Sequence, residues 1–144
     1  MINSYSDLWR LDPSKLSQSA KSRLIGKRKA LIDLPSLQSV LKSEKFNIDS
    51  IWAATDRCEW SMENEGWTNE NVLQILINLT VNDYVKSEWC QIKGGSMVPS
   101  DVYLMPFDPI RQVRSVKGLE VYTKFSIEVD GTFTLVLVSC HPPT

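Results

Sequence analysis

A chain of 144 residues with 42% apolar content can bury one ordinary hydrophobic core, and one domain is expected. No run approaches the ~18 apolar residues of a membrane span. The first 30 residues lack the apolar stretch of an export signal, and three scattered cysteines beside one histidine offer no zinc-ligand spacing. Reduced thiols in the cytoplasm are the expectation.

The net charge of −1 argues against nucleic acid as a partner, but the charges are unevenly spread. Residues 1–31 carry seven Lys/Arg against two acids, residues 32–70 three against eight, and residues 71–144 six against seven. A basic head and an acidic middle are segments that meet each other or a partner, or simply two solvated surfaces.

In chain order, Leu8, Trp9 and Leu11 form a short apolar cluster able to dock on the body. Asp12-Pro13 has the form of a helix start, and the pattern Leu16, Ala20, Leu24 predicts a helix to about Ile25, ended by Gly26. Lys27-Arg28-Lys29 follows, a solvated face or a phosphate contact. A second helix opens at Leu34-Pro35-Ser36, with Leu37, Val40 and Leu41 on one side and Phe46 closing it. A third helical stretch is read from Ile48 to about Glu59, and the acidic residues 59–66 as a loop. Thr68 caps a clearer helix with Val72, Ile75, Leu76 and Leu79 on one face, and Thr80-x-x-Asp83 starts one more turn.

The second half changes character. Tyr84–Ile92 reads as a strand, Lys93-Gly94-Gly95-Ser96 as a loop, and Asp101–Met105 as a strand stopped by Pro106. Asp108–Gly118 reads as a polar loop carrying Arg111, Arg114 and Lys117. Leu119–Val129 and Thr132–His141 form a hairpin about an Asp130-Gly131 turn. A two-residue loop would set Ile127 opposite Thr134, Phe125 opposite Val136, Thr123 opposite Val138 and Val121 opposite Cys140, all on the core face. The other face then carries Tyr122, Lys124, Ser139 and His141 near one end, with Phe133, Leu135 and Leu137 nearer the turn. That polar patch is either an active site or a coincidence of alternation. Helices first and an antiparallel sheet afterwards imply an α+β fold, N-terminal helices packed on a C-terminal sheet. Trp52, Trp60, Trp67 and Trp89 are read as packing residues, and Asp101 and Tyr103 as supports of the fold.

Several segments together resemble the MqsR family of bacterial messenger-RNA interferase toxins. The sharpest is Leu79-Thr80-Val81-Asn82-Asp83-Tyr84-Val85-Lys86-Ser87, where the family has a leucine, a short polar turn and Asp-Phe-Tyr-Lys-Ser. Ser100-Asp101-Val102-Tyr103 stands where the family has Trp-Gln-Asp-Val-Tyr. Val121-Tyr122-Thr123-Lys124 and the later Val138-Ser139 stand where it has a Tyr-x-Lys strand and a final Val-Ser-Phe-Lys. Leu37–Leu41, Gly66-Trp67 and Val72–Leu79 match its helical half weakly. The resemblance runs from near Pro35 to about His141, roughly three quarters of the chain. It implies residues 1–34 as a basic, helical N-terminal extension and 35–144 as an MqsR-like ribonuclease domain of RelE-like fold.

Carried over position by position, the resemblance implies Lys86, Tyr122, Ser100 and His141 as catalytic positions. Two of these depart from the family, since Ser100 replaces a glutamine and His141 a lysine. Lys124, Arg111, Arg114 and Lys117 are the candidate RNA contacts. A ribonuclease working without metal or cofactor needs a proton acceptor for the 2′-OH, a proton donor for the leaving oxygen, and cations facing the phosphate. The implied partners are messenger RNA and a cognate antitoxin protein, with no membrane and with DNA only through an antitoxin complex. Two alternatives stand beside this reading. One is an interaction protein of the same fold with weakened catalysis. The other is an unrelated α+β domain whose polar hairpin face docks a peptide.

Overall fold

A computed structural model describes residues 5–17, 23–130 and 132–143. Its centre is a seven-stranded sheet: β1 (Leu24–Gly26), β2 (Ile51–Ala53), β3 (Tyr84–Gln91), β4 (Met97–Asp108), β5 (Val113–Arg114), β6 (Leu119–Glu128) and β7 (Thr134–His141). The order across it is β1-β3-β4-β6-β7-β2, with β5 paired to the end of β4. Every pairing is antiparallel except β2 with β7, which is parallel. Three helices, α1 (Leu34–Leu41), α2 (Asp56–Glu65) and α3 (Asn69–Asn78), pack with one face of the sheet, so the fold is α+β.

The helices begin and end where short-range chemistry allows. Asp33 caps α1 by accepting from the Ser36 N–H at 3.2 Å, with Pro35 in the first turn. Thr68 opens α3, its N–H donating to the Asn71 side chain at 2.8 Å. Leu34, Leu37, Leu41, Val72, Ile75 and Leu76 then enter one core with Tyr103, Phe107, Phe125, Leu135 and Leu137. The Val81–Asp83 turn forms as expected, the Thr80 N–H donating to Asp83 at 2.7 Å.

Three expectations for the first half of the chain are corrected. The helix expected from Asp12 to Ile25 is a single 3-10 turn, Pro13–Lys15, and Leu24–Gly26 is a strand against β3. The Leu16 N–H closes that turn on the Pro13 carbonyl, and the open edge of β3 offers Leu24–Gly26 a ladder of partners. Ala20 lies outside the described residues. The stretch read as one helix from Ile48 divides into a 3-10 turn, strand β2 and the start of α2. The acidic segment read as a loop is α2 itself, capped by Thr55 and ended by left-handed Gly66 (φ 69°). Burial of Cys58, Ser61 and Met62 holds this polar helix in place.

Strand β4 continues through Pro106 rather than stopping there, and it also contains Pro99. Pro99 lies opposite Trp89 of β3, beyond the stretch that pairs with β6. Pro106 lies opposite Glu120 of β6, beyond the stretch that pairs with β3. Pro99 thus has no ladder on one side to break, and Pro106 stands between the β3 and β5 pairings, where its carbonyl still accepts from the Ser115 N–H at 3.1 Å. The expected polar loop 108–118 is shorter, because Val113–Arg114 returns to pair with Phe107–Asp108.

The terminal hairpin exists, but its register differs from the two-residue-turn expectation. Glu128 pairs with Thr134, so residues 129–133 make the connection and Ile127 faces Leu135. Gly131 lies outside the described residues. In the same register Phe125 faces Leu137, and a bulge between Lys124 and Phe125 then shifts the ladder again, so Thr123 faces Cys140. Leu135 and Leu137 therefore join the main core, while Val136 and Val138 turn to the other face. There they form a second cluster with Ala54, Cys90 and Ile92, against Trp52 and Val98.

Candidate functional site

The bulge adds a second one-residue shift to the first, which restores the facing beyond it, so Tyr122, Lys124, Ser139 and His141 still share one face. Tyr122 pairs with His141 and Lys124 with Ser139 on the face away from the main core. Across the sheet, Val102 of β4 lies between Lys124 of β6 and Lys86 of β3. The fold thus gathers Lys86, Tyr122, Lys124 and His141 from three strands onto one surface.

The aromatic half of this site is tightly organised. The Tyr122 and His141 rings stack with centroids 5.3 Å apart and planes 22° apart. His141 Nδ1 lies 2.7 Å from the Pro142 carbonyl oxygen. A carbonyl only accepts, so this contact places the proton on Nδ1 and leaves Nε2 as the ring's exchangeable position. Lys124 Nζ stands 5.7 Å from the centre of the Tyr122 ring, within cation–π range.

The charged half turns on Glu88, which sequence reasoning missed. Its carboxylate accepts from Lys124 Nζ at 2.9 Å and has Lys86 Nζ at 3.7 Å. Burial pushes the Glu88 carboxyl up, but the Lys124 hydrogen bond and the charges of Lys124, Lys86 and Arg23 outweigh it, leaving it below its ordinary value. Burial lowers Lys124, while the bond to Glu88 and nearby Cys90, Tyr122 and Glu88 raise it, leaving a firmly protonated ammonium. The Lys124 side chain is 12% exposed and that of Lys86 34%, so Lys86 is the more open cation. A local signal for Glu88 existed: Lys86 and Glu88 alternate onto one face of β3. Its pairing with Lys124 needed knowledge that β4 lies between their strands.

Ser100 does not line this surface. It is fully buried beside Glu88 in the ladder, and its hydroxyl donates to the Val98 carbonyl at 3.5 Å. Arg114 ion-pairs with Asp83 and reaches the Asn78 carbonyl at 3.4 Å, which ties β5 to the end of α3. Arg111 and Lys117 sit in the exposed hairpin around β5. Cys58, Cys90 and Cys140 are buried free thiols; burial pushes Cys58 up to about 12 and raises Cys140 too, so neither is a ready nucleophile. Trp52 and Trp67 are half-buried and Trp89 is buried, but Trp60 is 65% exposed and does not pack as expected.

Asp101 and Tyr103 organise the opposite face. Asp101 is fully buried and accepts from the Leu31 and Ile32 N–H groups, both at 2.9 Å, and from Ser87 Oγ at 2.6 Å. Tyr103 stacks on Phe125 at 5.7 Å. Among the described residues the basic N-terminal segment ion-pairs with the acidic middle where Arg10 lies 3.7 Å from Asp33.

Comparison with known proteins adds no relative: no family model, curated protein or solved structure matches the chain. Among the described residues no helix is long and apolar enough to cross a membrane.

Proposed function

We propose that this protein is a metal-independent endoribonuclease, an interferase of messenger RNA of the MqsR type with a RelE-like arrangement, working in the cytoplasm and restrained by a cognate antitoxin. The observation that carries the reading is the His141–Tyr122–Lys124 stack with Lys86 beside it. It brings an imidazole with Nε2 available, a phenol and two ammonium groups to one surface. In this mechanism His141 Nε2 takes the proton of a ribose 2′-OH as the 2′ oxygen attacks the adjacent phosphorus. The bond from phosphorus to the 5′ oxygen breaks, a proton from Tyr122 or the protonated imidazole reaches that oxygen, and a 2′,3′-cyclic phosphate remains. Lys86 and Lys124 face the phosphate as charge builds on its oxygens. The need for a 2′-OH restricts the reaction to RNA.

A second reading, an interaction protein of the same fold with weakened catalysis, draws on a specific observation. Glu88 neutralises both lysines, and Ser100 is buried where the family glutamine would reach substrate. Incubation with a defined messenger RNA in excess chelator separates the two. The enzyme reading expects cuts at a repeated short sequence with cyclic phosphate ends, slowed about 100-fold or more in His141→Ala and Tyr122→Phe. Folded protein that leaves the RNA intact establishes the interaction reading instead.

A further inference from the structure

The sequence singled out Lys27-Arg28-Lys29, and the nuclease site does not use it. On the helix side of the sheet, Arg28 and Lys29 line a cavity of about 160 Å³ together with Arg10, Asp33, Tyr84 and Tyr103. We infer that this cavity is a binding site for a phosphate group, enclosed between the basic segment, the start of α1 and the hydroxyl of Tyr103. The inference does not depend on the nuclease reading, since it concerns the other face of the molecule.

Tyr103 is the observation that points to a ligand. It is 1% exposed, its ring is held by Phe125 and by Tyr84 (centroids 5.7 Å apart in each case), and it borders the cavity. Its hydroxyl makes no hydrogen bond with the described residues and, unlike Thr123 Oγ1, keeps a trace of solvent contact. The phenol O–H is thus a donor without a protein partner beside a cavity that water or a ligand can fill. An acceptor entering the cavity would supply that partner.

Neighbouring polar groups are already committed, which leaves the free donors in one place. Tyr84 donates to Ser87 Oγ at 2.6 Å, and Ser87 in turn donates to Asp101 at 2.6 Å. The Asp33 carboxylate caps α1 through Ser36 and has Arg10 at 3.7 Å. Arg28 and Lys29 make no ion pair among the described residues. An arginine fork, an ammonium and a phenol O–H are donors of different geometry, which suits a group with several oxygens and two charges.

The chain also holds this basic segment in place before any ligand arrives. Asp101 fixes the backbone at Leu31 and Ile32, and the Tyr84 hydroxyl lies 3.2 Å from the Lys29 carbonyl. The backbone that carries Arg28 and Lys29 is therefore held in place, although both side chains are exposed. Size limits the ligand. At roughly 30 Å³ per water the cavity holds about five waters. It can take a phosphate and the first atoms attached to it, while a larger molecule would remain outside.

The test is titration of the full chain with inorganic phosphate and, separately, with ribose 5-phosphate. Calorimetry would follow binding at constant ionic strength in chloride. Saturable binding is expected, weakened at least about tenfold in the Arg28→Gln/Lys29→Gln protein, which removes two charge-assisted bonds. Tyr103→Phe keeps the ring packing and is expected to weaken binding several-fold without a loss of cooperative unfolding. Tighter binding of ribose 5-phosphate would show that the site takes the phosphate of an organic ester. Equal binding would show that it reads the phosphate alone. Absence of saturable binding, or binding untouched by either variant, overturns the site.

Discussion

Glu88 of β3 reaches across β4 to accept from Lys124 of β6 at 2.9 Å, so one carboxylate ties together strands that never pair. Removing it in Glu88→Gln leaves a Lys124 ammonium largely out of water with its charge uncompensated. A loss of about 2 kcal/mol at neutral pH is expected in urea unfolding. The pH dependence has a defined sign. Glu88 lies below its ordinary 4.5 in the fold, so its contribution is full above that value and fades as pH falls through the folded one. Lys124 lies above 10.5, so its share is full below that value and fades as pH rises through the folded one. The wild type should therefore lose stability more steeply than Glu88→Gln between about pH 5 and about pH 3. Parallel acid limbs would mean that the pair contributes nothing.

Asp101 accepts three donors, two of them backbone N–H groups of Leu31 and Ile32. Burial raises this carboxyl, the Ser87, Leu31 and Ile32 donors pull it back, and it remains raised overall. Asp101→Asn replaces one acceptor oxygen by an NH₂ that must face a donor. The expected cost is about 2–4 kcal/mol, together with faster trypsin cleavage at Lys27–Lys29. Cleavage at the wild-type rate would show that this segment is held by other contacts.

Gly118 has no room for a side chain. A Cβ there would meet the Phe107 carbonyl and lie 2.9 Å from the Asp108 nitrogen. Gly118→Ala must push the β5 hairpin away from β4, with an expected cost of about 1–3 kcal/mol. Hydrogen exchange at Val113 and Arg114 should accelerate before the rest of the sheet responds. Unchanged protection there would refute the clash.

Trp60 presents the opposite case. At 65% exposure on α2, its removal in Trp60→Ala should change stability by no more than about 0.5 kcal/mol. A larger loss on thermal unfolding would reveal packing that its exposure does not show.

How much of this was legible in the sequence depended on range. Helix α3 was readable because Val72, Ile75 and Leu76 repeat at helical spacing and Thr68 provides a cap within the same turn. Helix α2 was not, because only Cys58, Ser61 and Met62 are buried and its exposed residues are mostly acidic or polar. Leu24–Gly26 was misread because its partner is an edge of β3 more than fifty residues away in the chain. The polar face of the last hairpin was legible from alternation, whereas the longer connection that turns Val136 outward and the bulge at Val138 were not.

The sequence by itself determined the α+β class, the places of α1, α3, β3, β4, β6 and β7, and which polar residues of the terminal hairpin share a face. These follow from periodicity and capping, which act within a few residues. Only the tertiary structure decided that Glu88 meets Lys124, that Ser100 is buried, that Arg114 belongs to Asp83, and that Arg28 and Lys29 border a cavity also lined by Tyr103. Those relationships depend on strand order and register, which are set by the summed burial of many side chains and by no local pattern.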